Sequence, residues 1–299
     1  MGSLLGFLAE PVSSLVHVHC RVPEEHPSAA VLGTERSGSG VIVDDGGYVL
    51  TVGYVVMGGR ELHVVSAKGD SFEARMVHVD HESGLAVIRA QGLAEPPVQL
   101  ESSAGLRVGM PVVLLASNGE NQVRGSEGFI TDLGPFDAHW EYMLESAIKS
   151  TAMNPGLGGG VLMTLDGKVR GTVSLNLHLI GTCSMSIPID QFLARRDIFV
   201  GNRDGSDKAH RPWLGLYPQS LEKGVLVAGL VPGGPADDSG IEVGDIVLHI
   251  NGEEVSSRRV FYHKLWQGNA GDNVTLTIYR EKSFQTIQVN SKSRAEFYR

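Results

Sequence analysis

Gly40-Val41-Ile42-Val43-Asp44-Asp45-Gly46-Gly47-Tyr48-Val49-Leu50-Thr51 is the stretch on which the fold reading turns. Two apolar, largely β-branched runs flank Asp44-Asp45-Gly46-Gly47, and a glycine-containing turn between such runs predicts a β-hairpin. The pattern repeats in both directions. Val12–Cys20 alternates and is β-branched. Glu61–Ser66 and Phe72–Val79 flank Lys68-Gly69-Asp70. Leu85–Arg89, Pro111–Ala116, Gly125–Leu133 and Met143–Ile148 follow, and Val161–Thr164 and Val169–Leu175 flank Leu165-Asp166-Gly167-Lys168. Strands about 8–12 residues apart, with turn signals between them, predict a sandwich or barrel. A helical turn at Gln191–Arg196 closes this part.

Composition bounds the rest. The chain has 299 residues, enough for about two domains. Hydrophobic residues make up 42% and charged residues 20%, which fits a globular chain with a proper core. The 38 glycines favour tight turns and an all-β fold over a helical one. A net charge of −9 argues against nucleic acid or an anionic membrane as partner. Cys20 and Cys183 match no metal spacing; they read as buried thiols, with a disulfide or a functional role left open. No apolar run reaches the roughly 18 residues that span a bilayer. Residues 1–10 are apolar but short and lack a basic flank, so they read as a poor signal peptide or as the stub left by a removed targeting segment.

Residues 201–211 are polar, contain glycine and lack periodicity, and are read as a linker. Residues 212–292 form a smaller unit with strands at Val225–Leu230, Ile246–Ile250, Asn273–Arg280 and Phe284–Val289. Two helices are expected, Pro235–Ser239 ended by Gly240, and Arg258–Trp266 capped by Ser256 or Ser257. Asn251-Gly252 is a strong turn signal. Residues 293–299 are a tail.

Taken together, these pieces resemble the HtrA family, a trypsin-like double β-barrel followed by a PDZ domain. The resemblance rests on Gly38-Ser39-Gly40-Val41-Ile42-Val43, Gly47–Thr51, Asp80–Ile88, Leu106-Arg107-Val108-Gly109, Gly156–Gly160 and Ile187-Pro188-Ile189. In the second unit it rests on Pro232-Gly233-Gly234-Pro235-Ala236, Ser239-Gly240-Ile241, Gly244-Asp245-Ile246-Val247 and Asn251–Val255. It implies a mainly β fold: a protease-like domain over 12–200, preceded by a stub over 1–11, and an α+β PDZ domain over 212–292.

The resemblance also places three positions. Tyr54 stands where the family carries its histidine base, Gly84 where it carries aspartate, and Gly158 where it carries the nucleophilic serine, in base–acid–nucleophile order. Glycine cannot form an acyl intermediate, and a phenol with a pKa near 10 is a poor base at neutral pH. The expectation is therefore no enzyme but a pseudoprotease that binds peptides or unfolded chains, as a scaffold, chaperone-like binder or regulator of an active homologue. An oxyanion hole built from the N–H groups of Gly156 and Gly158 is expected to survive. The alternative is a serine-endopeptidase-related hydrolase using other residues, with His81, His63, His78, His139, His178, Ser150 and Asp80 as candidates. No metal or other cofactor is expected.

By the same resemblance, Pro212–Leu216 is the loop whose backbone N–H groups at Leu214, Gly215 and Leu216 hold a peptide carboxylate. Phe261 and Leu265, at i and i+4, face either the peptide groove or the core. Trp213 is expected to be a packing aromatic. The partners implied are peptide C-termini or unfolded polypeptide, together with a homo-trimer or a hetero-oligomer with an active homologue. The compartment implied is the periplasm or a membrane-associated site.

Overall fold

A computed structural model describes residues 9–118, 122–177, 183–201 and 210–299. Most of the expected linker and His178 lie outside the described residues. The chain divides into two units, one of residues 1–135 and 145–204, the other of residues 136–144 and 205–299.

The first unit contains two closed six-stranded antiparallel barrels. The first barrel is built from β1 (Leu15–Arg21), β2 (Glu35–Asp44), β3 (Tyr48–Val52), β4 (Glu61–Val65), β5 (Ser71–Val79) and β6 (Leu85–Ala90), in the order β1-β2-β3-β6-β5-β4. The Asp44–Gly47 turn joins β2 to β3 with Val41 opposite Leu50, as the hairpin signal requires. Gly47 has φ +75°, and a Cβ there would meet the Ala90 carbonyl at 2.4 Å, so both backbone and space demand glycine.

The second barrel begins with β7 (Pro111–Ser117) and β8 (Val123–Asp132). The chain then forms a small hairpin, β9 (Phe136–Ala138) and β10 (Tyr142–Leu144), and returns through β11 (Ile148–Ser150), β12 (Val161–Met163), β13 (Val169–Leu177) and β14 (Cys183–Pro188). The barrel order is β11-β14-β13-β12-β7-β8, around a core of Val112, Leu114, Ile130, Ile148, Leu162 and Val173. Cys20 and Cys183 are free, buried thiols.

Two expected strands are corrected. Val12–Cys20 is strand only from Leu15, because Ala9–Ser14 forms helical turns, which tolerate Pro11 in the first turn where no N–H partner is needed. Met143–Ile148 is two strands rather than one. Ser146 Oγ donates to the Leu133 carbonyl at 3.1 Å and the Ala147 N–H donates to the Gly134 carbonyl at 2.9 Å, so the chain turns between Leu144 and Ile148.

In the second unit β15 (Pro212–Trp213) precedes a sheet of β16 (Leu216–Ser220), β17 (Val225–Leu230), β18 (Ile246–Ile250), β20 (Asn273–Arg280) and β21 (Ser283–Asn290). Strand β19 (Glu253–Glu254) pairs with β18, and β22 (Lys292–Ser293) pairs with β15. Helix Arg258–Leu265 is capped by Ser257, whose Oγ accepts from the Val260 N–H. Phe261 and Leu265 lie in the core of this unit with Leu214, Leu216, Val225, Val247 and Ile278, and Met143 of the β9–β10 hairpin joins them. Trp213 packs on Phe297 and Tyr298, with ring centroids 4.7 and 5.7 Å away.

Candidate functional site

Among the described residues, one cluster in each unit holds the expected site positions. In the first, Tyr54 sits on the short helical turn Gly53–Val56 that follows β3. The Gly53 N–H donates to the Gly84 carbonyl at 2.7 Å, which ties this turn to the Asp80–Leu85 loop. Gly84 has φ +77°, a left-handed backbone that glycine adopts freely. The loop is held by buried Asp80, which pairs with Arg195 and accepts from Ser83 Oγ at 2.5 Å.

Gly158 approaches from between β11 and β12. Its carbonyl accepts from the Ser39 N–H at 2.7 Å. The Tyr54 hydroxyl donates to the Ser174 carbonyl at 2.8 Å, and burial pushes the phenol up to about 12. A Cβ on Gly158 would stand 1.8 Å from that hydroxyl. The structure thus brings Tyr54, Gly84 and Gly158 to one place, with the Tyr54 phenol filling the volume next to Gly158. The Gly156 N–H donates to Asn154 Oδ1 at 3.2 Å, and the Leu157 N–H donates to the Ser117 carbonyl at 2.8 Å.

Among the described residues, the other candidates in this unit lie apart. His63 stands opposite His19 across β4 and β1, His78 packs edge-on against Phe199, and Ser150 shares a hydrogen bond with Ser184 at 3.0 Å. His81 lies on the Asp80 loop, and His139 belongs to the other unit.

A pair that spacing could not reveal is His17 with Ser117, a hundred residues apart, whose Nδ1 and Oγ are 3.0 Å apart. Both are buried, and the His17 ring also meets the His19 ring edge-on at 4.0 Å. Burial first, and then the charge of His19, lowers the His17 pKa from 6.5 to about 4. Between those values the unfolded chain binds the proton and the folded chain does not, so stability falls as the solution is acidified. The drop in stability between pH 6.5 and about pH 4 is on the order of 3 kcal/mol. Denaturant titrations across this range should show it, and His17→Asn should flatten the slope. An unchanged slope in that variant would assign the pH dependence elsewhere.

The second cluster is built around Glu141, at the tip of the β9–β10 hairpin, with φ 51° in the left-handed region that side chains seldom occupy. Its carboxylate accepts from the Leu216 N–H at 2.7 Å and the Leu214 N–H at 3.1 Å. Burial, outweighing the N–H groups of Leu216, Leu214 and Gly215 and the charge of Arg294, raises its pKa to about 7. The Glu141 N–H donates to the Tyr262 hydroxyl at 3.0 Å, which itself donates to the Ala138 carbonyl at 2.5 Å. Arg258 and Arg259, on the first turn of helix Arg258–Leu265, reach the Asp137 carboxylate at 2.8 Å each. The loop Leu214–Leu216 holds the Glu141 side chain through two of its N–H groups. Phe261 and Leu265 are buried in the same core cluster as Leu214 and Leu216.

A trypsin-like peptidase domain matches residues 38–171 and a PDZ domain matches residues 212–290. A probable periplasmic serine endoprotease DegP-like from Halomonas elongata is 29% identical over 270 residues, 84% of this chain and 55% of that protein. Its counterpart from Pseudomonas putida strain W619 is 30% identical over 271 residues, 84% of this chain and 55% of that protein. The chain spans little more than half the length of these curated relatives. Among solved structures, the serine endoprotease from Yersinia pestis superposes with a TM-score of 0.60 at 22% identity, covering 98% of both chains. An HtrA-type protease AlgW with a decapeptide superposes with a TM-score of 0.59 at 22% identity, covering 98% of this chain and 99% of that one. At that identity the likeness is one of fold.

The chain thus matches a trypsin-like peptidase domain followed by a PDZ domain. The expectation that it is no enzyme is corrected by the same comparison, because the relatives it matches along 84% of its length are named serine endoproteases.

Proposed function

We propose that the chain captures polypeptides by their C-termini through Leu214, Gly215 and Leu216, and serves proteolysis or the holding of unfolded chains. The observation that carries this reading is the carboxylate held by the Leu214 and Leu216 N–H groups. Consecutive backbone donors in a short loop, next to the end strand of a sheet, are the means by which such modules recognise a chain terminus. β16 is that end strand, with β17 on one side. AlgW has been solved with peptides, which agrees with a peptide-binding module of this type. The relatives' names place them in the periplasm, and the same compartment is proposed here.

The full chain should bind a decapeptide ending in Leu-Val-Leu with a free carboxylate at a Kd on the order of micromolar, about −8 kcal/mol. The same peptide with an amidated terminus should bind at least tenfold more weakly, measured by fluorescence anisotropy. Equal affinity for the two forms rejects the site.

Peptide-bond hydrolysis is the second reading, favoured by the relatives' names. Position 158 supplies no nucleophile, so another hydroxyl must. Ser117 has a neutral base, His17, within hydrogen-bond reach and lies beside the Asn154–Gly158 loop through the Leu157 N–H. Both are buried, so β7 must part from β1 for substrate to reach them. A fluorophosphonate probe should label Ser117, and Ser117→Ala should abolish the label. Labelling elsewhere, or none, removes this pair.

A further inference from the structure

We propose that Glu141 is a ligand built into the chain: its side chain occupies the carboxylate loop Leu214–Leu216, so the 136–144 hairpin and a peptide C-terminus compete for one seat. This inference rests on the reading of that loop as the peptide-binding site. Three observations carry it beyond that reading.

The first is chemical. Leu214 and Leu216 donate to the two different oxygens of one carboxylate, at 3.1 and 2.7 Å. A second carboxylate cannot take the same donors, and two like charges in one buried seat repel. Binding of the peptide and seating of Glu141 are therefore mutually exclusive.

The second is positional. The hairpin lies against helix Arg258–Leu265 and β16, the elements that flank a groove beside a sheet edge. Asp137 is gripped by Arg258 and Arg259, the Ala138 carbonyl and the Glu141 N–H meet the Tyr262 hydroxyl, and the His139 ring meets Tyr217 of β16 at 5.9 Å. The Arg258 N–H also donates to Ser220 Oγ at 2.9 Å, which ties the helix to the end of β16. The hairpin thus covers the face on which an added strand would lie.

The third is the backbone. Glu141 holds φ 51° without being glycine, a conformation that persists where its surroundings fix it. Here the surroundings are the loop N–H groups on its carboxylate and the Tyr262 hydroxyl on its N–H. In the sequence the hairpin belongs to the connection between β8 and β11. The class of regulator this fits is any chain with a free, apolar-ended C-terminus.

A seat that is part-time occupied lowers apparent affinity by the fraction of time it is free. Removing Glu141 should therefore tighten peptide binding. It should also remove a pH dependence. Docked Glu141 titrates near 7, above the ordinary carboxylate range, so docking takes up a proton and strengthens as pH falls. The groups facing it are Arg294 and Tyr298 of the C-terminal segment, Tyr217 of β16 and Tyr262 of the helix, with Arg258 and Asp137 acting on Tyr262 and His139 beside Arg258. The peptide's own carboxyl stays ionised above about pH 4.5.

The experiment uses the full chain, the fluorescein-labelled decapeptide ending in Leu-Val-Leu, and its amidated form. Glu141→Ala should bind the free acid at least tenfold more tightly than the native chain at pH 7.5, with the amidated peptide unchanged. The native chain should bind the free acid several-fold more weakly at pH 5.5 than at pH 8, and Glu141→Ala should bind equally at both. Should Glu141→Ala fail to fold, Asp137→Ala keeps Glu141 but loosens the Arg258 and Arg259 grip, and should tighten binding in the same direction. Hydrogen exchange of residues 136–144 in the native chain should speed up when the free acid saturates. Equal affinity of native and variant chains, with protection of 136–144 unchanged at saturation, overturns the inference and leaves the peptide site standing. Failure of every chain to distinguish free acid from amide overturns both.

Discussion

Gly158→Ser is expected to destabilise the first unit by roughly 1–3 kcal/mol, a drop of roughly 3–10 °C in its unfolding midpoint for a domain of this size. The backbone is not the obstacle, since position 158 is absent from the left-handed glycines. The obstacle is the Tyr54 hydroxyl, 1.8 Å from where the new Cβ would stand, with the Ser174 carbonyl that it donates to 3.2 Å away. Tyr54 can yield only by swinging its ring out of a partly buried slot and giving up its hydrogen bond to Ser174. A lost buried hydrogen bond adds about 1 kcal/mol and leaves a carbonyl unpaired. Tyr54→His, with a shorter ring and no phenol oxygen, should relieve most of the clash, so the double variant should be more stable than the sum of the two single changes. Residues in contact show coupling of about 0.5–3 kcal/mol, which a four-way melting comparison resolves. Additive effects would mean that the loop at Gly158 relaxes independently of Tyr54.

That coupling shows why some of the chain was legible and some was not. The Asp44–Gly47 hairpin is local: its turn residues and both strands lie within a dozen positions, and the strand register follows from the turn. The second unit was legible for the same reason, with Asn251-Gly252 and the Pro235 and Ser257 helix starts all acting over a few residues. The place of Tyr54, Gly84 and Gly158 came from resemblance in order and spacing. What could not be read was the Tyr54 hydroxyl reaching Ser174, 120 residues on, or the volume it fills.

The β9–β10 hairpin was the largest miss. From the sequence Met143–Ile148 reads as one strand, and Phe136–Tyr142 is given no element of its own. Its real determinants are Arg258 and Arg259, more than 120 positions away, and three backbone N–H groups that have no sequence signature at all. Glu141 gave one usable hint: a carboxylate among aromatic and apolar neighbours is costly to bury unless donors await it.

Arg280→Ala should have the largest effect on the second unit, a loss of roughly 3–5 kcal/mol, because it strands a buried charge. Asp245 is 1% exposed and receives Arg280 as a fork, Nε to Oδ1 and Nη2 to Oδ2, both at 2.6 Å. A bidentate pair of this kind fixes geometry as well as charge. Asp245 also accepts from the Glu242 N–H at 2.9 Å and passes its own carbonyl to the Val227 N–H at 2.8 Å, so it ties the turn before β18 to β17 and β20. β17 in turn carries β16, beside the carboxylate loop. Loss of Arg280 therefore acts on peptide binding through the sheet, without touching the peptide. Urea unfolding followed by the fluorescence of Trp213 and Trp266 should show an early transition in Arg280→Ala, with the first unit's transition unmoved. Adding Asp245→Asn to that variant should recover part of the loss, because a neutral amide is cheaper to leave unpaired than a carboxylate. A second-unit transition shifted by less than about 1 kcal/mol would show that water reaches Asp245 once Arg280 is gone, and that the pair orders the turn without holding the sheet.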